Sequence, residues 1–486
     1  MAVFNKLIVF RTLGFLLFIE SVFMFAAALV SVHYEDGIIG PFFNSVAVTF
    51  GCALILFFLG RDADSEMGRR ESFFIVAVTW IIFSFFGMLP FYLSGSISDV
   101  TDAYFESISG FTTTGATILN NIEAMPKGLL FWRSLMQWLG GIGIIVFTLV
   151  LLPFFAGNGA HLYRAETSSI VLEKLRPRVR ETARKLWIVY VVLTVILVLL
   201  LWSGPMTLFD AVCHAFTTIA TGGFSTKQQS ILHWHSAYIE YVIVFFMILG
   251  GTNFSLIYYM FYKNFKRIRQ DDEFKWYLSA LVVATLMIFV GLIVSHQGYG
   301  NLEHIFRDSL FQATALFTSC GFATADYVSW GPYFWVIILM LVVSGACAGS
   351  TSGGMKVIRS GTLIKSVLNE FSRQIHPRAV LPVKINKVVV PQEVIANVMV
   401  FALVYIMVIV ISTLLLTIVG VDFVESIGSA VCSIGNVGPA LGKTGPVGTF
   451  AHLPDFAKWV LCFDMIVGRL ELFTLLIIFM PGFWKK

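Results

Sequence analysis

Charge is scarce in this chain. Of its 486 residues, 13% are charged and 57% apolar, whereas a soluble domain of average usage carries about 25% charged residues. A mean hydropathy of +0.83 excludes a protein solvated mostly by water. Length alone suggests about three soluble domains. That expectation gives way because the apolar runs reach the roughly 20 residues that a bilayer span needs. Cysteine is also sparse and unpatterned. Cys52, Cys213, Cys320, Cys347, Cys432 and Cys462 are scattered without a CxxC pair, which points away from a disulfide framework or a zinc site. No HExxH motif and no nucleotide-phosphate loop is present. His233 and His235 could touch a metal together, but they read as polar residues of an aqueous loop.

What the sequence has in quantity is long apolar runs, at approximately 12–33, 38–60, 73–94, 129–154, 186–203, 238–262, 277–296, 333–358, 393–420 and 457–480. The first is too long for the apolar region of a signal peptide and carries an acid in its middle, so it reads as a retained span. It carries Glu20, which is expected to face other helices and find a hydrogen-bond partner there. Shorter half-apolar segments near 101–111, 207–219, 303–317 and 422–433 cannot cross a bilayer. Each opens on a residue able to cap a helix and ends in a Gly/Thr/Ser cluster. Such segments between spans read as re-entrant helices followed by loops, tolerated at membrane depth only inside protein or beside water.

Lysine and arginine set the expected orientation. Of 33, only Lys127, Arg133, Lys227, Arg307, Lys443 and Lys458 fall on the outer side if the N-terminus is inside, and Arg469 falls within a span. The remainder form inner clusters, including Arg164–Lys185, Lys263–Lys275, Lys356–Lys387 and Lys485–Lys486. This asymmetry predicts cytoplasmic termini, with all four short segments dipping in from outside. Asp99, Asp102, Glu106, Asp210, Glu303, Asp308, Asp422 and Glu425 surround them, an acidic rim expected to concentrate cations.

Laid over one another, the segments beginning at Asp102, Asp210, Asp308 and Asp422 each run about three helical turns and close on a glycine: Gly115, Gly222, Gly321 and Gly438. A fourfold repeat between spans predicts a pore. A dehydrated cation needs oxygens in place of its water shell, which rings of backbone carbonyls supply. Presenting carbonyls to an axis requires unusual backbone angles that glycine adopts easily. Each pore helix would also aim its partially negative C-terminal end at the ion.

At these residues the chain resembles the Trk/Ktr/HKT superfamily of potassium-uptake membrane subunits, the TrkH type in particular. The stretches are SGFTTTGAT (109–117), ATGGFS (220–225), TSCGF (318–322) and NVGPALG (436–442). The run from Arg133 to Gly143 and GRLELF at 468–473 extend the likeness over nearly the whole chain. The resemblance implies an all-α polytopic membrane protein with four pseudo-symmetric helix–pore-loop–helix repeats around a central pore, plus two extra N-terminal transmembrane helices. The expected divisions are 1–66 for that pair, then repeats at 67–160, 180–265, 272–370 and 388–486.

The potassium filter would comprise Thr113, Thr114, Gly115, Ala220, Thr221, Gly222, Ser319, Cys320, Gly321, Asn436, Val437 and Gly438. Some eukaryotic relatives carry serine at the first filter glycine and admit sodium, so Gly115 favours potassium. The run Gly345, Ala346, Gly349, Ser350, Thr351, Ser352, Gly353 and Gly354 is dense in residues that weaken a helix, about 1 kcal/mol per glycine relative to alanine. It reads as a break beneath the filter, the family's intramembrane gating loop. A small-residue helix-packing face is the alternative. Arg469, about midway along the last span, would be the family's electrostatic barrier and latch. A structural ion pair is the alternative there, with Asp464 and Glu471 as candidate counter-charges.

Further expectations from the resemblance are a bacterial inner-membrane homodimer regulated by a cytoplasmic nucleotide-binding ring of the TrkA type. Any nucleotide (NAD, ATP or ADP) would sit on that partner. K+ would be cargo, no covalent cofactor would be present, and nucleic acid is not an expected partner. Passive and proton- or sodium-coupled flux both stay open. The competing readings are a sodium-admitting transporter on the same scaffold and a membrane-embedded enzyme.

Overall fold

The computed structural model describes residues 4–63, 68–155, 179–261, 265–298 and 300–484. The basic run from Arg164 to Arg178, with Lys263, Lys485 and Lys486, lies outside the described residues.

Among the described residues the regular structure is helical apart from a two-residue-per-strand hairpin, in which Lys384–Ile385 pairs antiparallel with Val388–Val389. An N-terminal pair, Lys6–Tyr34 and Ile39–Leu59, packs along its length. Asn5 caps the first of these, accepting from the Leu7 and Ile8 N–H groups. Four units follow, each with a long helix, a short one and a second long element. They begin with Arg69–Gly87, Val179–Trp202, Asp272–Val294 and Gln392–Ile418. The short helices are Val100–Phe111, Leu208–Ile219, Leu302–Phe317 and Phe423–Ile434, close to where the sequence places its re-entrant segments. Asp99, Thr207, Asn301 and Asp422 cap them, each side chain accepting from a first-turn backbone N–H. These caps fix the entry angle of each short helix.

Among the described residues, six helices are long and apolar enough to cross a membrane uninterrupted. Their exposed faces are apolar. Gln392–Ile418, for example, presents Leu403, Ile406, Val410 and Leu414, a surface for lipid rather than water.

Three expected spans are broken instead. The run 238–262 forms Ala237–Gly250 and Phe254–Phe261, bent by 108°. Gly251, Thr252 and Asn253 lie at the corner, where the Asn253 side chain caps the Ser255 N–H at 2.8 Å. The run 333–358 stops at Ser344, and helix resumes only at Val357. The run 457–480 stops at Arg469, because Glu471 and Leu472 take left-handed backbone (φ 54° and 51°). Arg469 therefore ends a helix and is not midway along one.

Glu20 also departs from expectation. It is fully buried, yet among the described residues neither carboxyl oxygen has a hydrogen-bond partner.

Candidate functional site

Each short helix is followed by the same three-residue backbone. Thr113, Thr221, Ser319 and Asn436 all take left-handed φ, between 51° and 54°. Two residues later come Gly115, Gly223, Gly321 and Gly438, the first three at φ 86°, 75° and 78°. The hydrogen bonds repeat in register: Thr114, Gly222 and Val437 each donate an N–H back to Ser109, Thr217 and Cys432. The residue of repeat two equivalent to Gly115 is therefore Gly223, and Gly222 is equivalent to Thr114. The expected triplet Ala220–Thr221–Gly222 slips one position, to Thr221–Gly222–Gly223. Ala220 is the helix C-cap, matching Thr112 and Thr318. The Phe after the glycine at 224 and 322 is the sequence signal that would have set this register.

The four loops close on one another. A Cβ on Gly115 would collide with the Gly222 carbonyl, and one on Gly223 with the Cys320 carbonyl. A Cβ on Gly321 would sit 3.1 Å from the Gly438 nitrogen, and one on Gly438 would sit 2.5 Å from the Gly115 carbonyl oxygen. The ring thus runs 1–2–3–4–1 with backbone against backbone. Gly115, Gly223, Gly321 and Gly438 line a single cavity at its mouth. Non-glycine residues in left-handed backbone cost about 1–2 kcal/mol each, a strain that structures retain where a site needs it. Asn436 is held by donating to Thr114 Oγ1 (3.1 Å) and the Met465 carbonyl (2.9 Å). Among the described residues, Thr113 Oγ1 and Asn436 Oδ1 are buried without partners.

A second repeated position ties each pore helix to the chain returning from its loop. It is occupied by Glu106, His214, Gln312 and Ser429, all fully buried. Glu106 accepts from Thr117 Oγ1 and the Ile118 N–H, both at 3.0 Å, and from Arg133 Nε at 2.5 Å. The Arg133 guanidinium lies 3.6 Å from the Phe224 ring centre and donates to the Ser225 carbonyl at 2.9 Å, joining repeats one and two. His214 donates from Nδ1 to the Asp210 carbonyl, so Nε2 accepts from Ser225 Oγ at 3.0 Å. The Gln312 amide oxygen accepts from the Thr324 and Ala325 N–H groups (2.8 and 3.1 Å), and Ser429 Oγ meets Thr444 Oγ1 at 3.1 Å. Sequence reading missed this set because its four residue types differ.

The acids expected to form a free rim are largely occupied. Asp102 pairs with Lys458, Glu425 with His452, and Glu303 with Arg307, which also binds Glu240. Asp99 and Asp422 cap helices. Scaffold construction, more than open negative charge, uses these side chains.

Beneath the ring, residues 345–356 are non-helical and buried except at Gly349 and Met355, which are half-buried, so the helical packing-face alternative does not apply. The segment touches three of the four loops or their helices. Thr351 Oγ1 donates to the Ile219 carbonyl (3.0 Å), the Gly353 N–H donates to Ser319 Oγ (2.6 Å), and Gly353 abuts the Gly435 carbonyl. It also runs along the corner in repeat two. The Cys347 N–H donates to the Gly251 carbonyl (3.0 Å), and the Phe254 N–H donates to the Gly349 carbonyl (3.1 Å). Ala346, Ser350 and Ser352 pack in the same layer, while Gly345 and Gly354 supply its left-handed turns.

Arg469 donates to the Thr351 carbonyl at 2.8 Å and to the Gly140 carbonyl at 3.1 Å. Among the described residues it has no carboxylate partner. Asp464 instead accepts from Ser412, and Glu471 pairs with Arg359 at 2.5 Å, so the structural ion pair at Arg469 is not formed.

This geometry defines a polytopic helical membrane protein in which four pseudo-symmetric re-entrant loops converge on one axis. The family model for TrkH, described as a cation transport protein, matches residues 39–486, and the chain belongs to that family. It is 38% identical to the Trk system potassium uptake protein TrkH of Vibrio parahaemolyticus, covering 98% of this chain and 99% of the relative. It is 37% identical to the protein of the same name from Escherichia coli, with the same coverage. The crystal structure of the potassium transporter TrkH from Vibrio parahaemolyticus superposes with a TM-score of 0.90 at 36% identity, covering 98% and 99% of the two chains. These relatives are named for potassium uptake and not for a catalysed reaction.

Proposed function

We propose that this chain takes potassium ions up across a bacterial inner membrane through the ring formed by the loops at Thr113–Gly115, Thr221–Gly223, Ser319–Gly321 and Asn436–Gly438. The observation that carries this reading is the closed backbone ring, in which the same left-handed residue and glycine recur four times. Loops of this geometry replace an ion's hydration oxygens with carbonyls. The unpartnered Thr113 Oγ1 and Asn436 Oδ1 offer further oxygens to the ion or its waters. The names of the relatives support potassium as the cargo.

Segment 345–356 is read as the gate and Arg469 as its latch. A buried guanidinium just beneath the ring repels cations until it moves. The remaining elements of the reading are cytoplasmic termini, a homodimer, and control by a TrkA-type ring that binds nucleotide. Potassium-limited growth of a transport-deficient bacterial host tests the cargo. Rescue, with rubidium uptake by the purified protein in liposomes, is expected. A well-expressed protein that gives neither would overturn the reading.

A further inference from the structure

The hairpin at 384–389 is the one strand pair among the described residues, and it lies on the basic side of the chain, far in sequence from the filter. Its two-residue turn, Asn386–Lys387, takes left-handed backbone at both positions (φ 50° and 66°), the geometry of the tight turns that fit twisted hairpins. The turn does not hang free. Asn386 Oδ1 accepts from the Asp272 N–H at 2.7 Å, and the Asn386 N–H donates to Asp272 Oδ2 at 2.8 Å. Asn386 Nδ2 also reaches Asp271 Oδ2 at 3.3 Å. Asp271 and Asp272 are the cap and first residue of the helix that opens repeat three. The turn therefore grips the end of that helix through side chain and backbone together.

The next residue, Glu273, is 1% exposed, and its Oε1 accepts from the Ala348 N–H at 2.6 Å. Its carboxylate also faces the Ile358 N–H, at the start of the helix that follows the suspected gate. One side chain thus bonds the middle of segment 345–356 and faces the first turn of the helix that continues from it. Apolar packing reinforces the connection: Ala348 and Ile358 share one buried cluster with Val383, Ile385 and Val390 of the hairpin.

We propose that the hairpin and Glu273 form a positioning relay for the gate. Displacement of the turn at Asn386 shifts Asp271 and Asp272, and Glu273 then releases or tightens its hold on Ala348. A partner that seats on the basic side can act on the pore through this connection without reaching into the membrane. The inference rests on reading 345–356 as a gate.

The test uses single-channel recording, or rubidium flux with a counted number of active proteins, on the purified full-length protein in liposomes. Asn386→Gly keeps the left-handed turn but removes the side-chain grip. Glu273→Ala removes the hold on Ala348, and Glu273→Gln keeps an acceptor. Asn386→Gly and Glu273→Ala are each expected to raise the open fraction roughly two- to tenfold, about what one net hydrogen bond is worth. Unitary conductance and the K+/Na+ ratio should stay at the parent values, which a general loosening of the fold would not allow. Glu273→Gln should stay near the parent, and the double variant should not exceed the larger single effect, since both act through one connection.

A variant with segment 346–352 shortened serves as reference. If shortening opens the pore while Asn386→Gly and Glu273→Ala behave as the parent, the relay is wrong and the gate stands. Should shortening also change nothing, the gate reading falls and the relay with it. Additive effects of the two substitutions would equally overturn the relay.

Discussion

Arg469 donates to the carbonyl of Thr351 at 2.8 Å, joining the end of the last repeat's second helix to the segment that crosses beneath the ring of loops. Its second bond, to Gly140, reaches repeat one. The guanidinium spans the axis region from two sides and has no carboxylate to neutralise it among the described residues.

Replacing Arg469 with alanine removes both the positive charge below the ring and the bond to Thr351. Rubidium flux into liposomes is expected to rise about tenfold or more, the equivalent of a charge-assisted hydrogen bond, with K+/Na+ selectivity unchanged. Arg469→Lys should fall between, because a lysine keeps the charge but lacks the fork that reaches two carbonyls. A flux at or below the parent value in the alanine variant would contradict the latch.

Shortening the segment within 346–352 should likewise raise flux and leave the ion ratio alone. The residues removed bond to Ile219, Gly250 and Gly251 below the ring and, through Thr351 Oγ1, to the Thr221 hydroxyl at 3.2 Å, but not to the glycines that line its mouth. An altered ion ratio would place the segment in the filter itself.

The buried pair Arg133–Glu106 supports the first two loops from behind. Breaking it by Glu106→Leu leaves an uncompensated buried cation and should cost about 3–5 kcal/mol. The readout is a lowered thermal midpoint of the detergent-solubilised protein. Replacing both residues with apolar side chains of similar volume should cost less than Glu106→Leu alone. A loss from the double replacement as large as that from the single would show that the contact to Ser225 and the stacking on Phe224 matter more than the charge.

Much of this architecture is legible in the sequence, for definite reasons. The four pore helices are readable because each has a polar cap and a Gly-rich end on a segment too short to span. The break at 345–356 is readable because glycine and serine crowd a run that should be helix. Repeat two misleads because Gly222 and Gly223 are adjacent, and either could close the motif. The left-handed backbone at Thr221 assigns Gly223, as Phe224, matching Phe322, would have done in the sequence. The corner at Gly251–Asn253 is hidden because apolar residues flank it and the run keeps the length of a span. The end of the last helix at Arg469 is equally silent, since Leu470 and Leu472 look helical and the turn depends on tertiary packing. The scaffold position shared by Glu106, His214, Gln312 and Ser429 is invisible to pattern, because the four side chains do one job with different chemistry.

The ring assignment makes the most exposed claim, and the K+/Na+ permeability ratio from reversal potentials in liposomes tests it most directly. A side chain on Gly115 or Gly223 meets a carbonyl of the neighbouring loop and must push it outward, widening the ring. A side chain on Gly222 meets the end of the Gln137 side chain instead, which is buried and bonds the Gly222 carbonyl and the Phe224 N–H. Gly115→Ser and Gly223→Ser are therefore expected to lower the ratio sharply and admit sodium, while Gly222→Ala, which meets a side chain and not a carbonyl, lowers it less. Unchanged selectivity in both serine variants, or a loss confined to Gly222→Ala, would contradict the ring of Gly115, Gly223, Gly321 and Gly438.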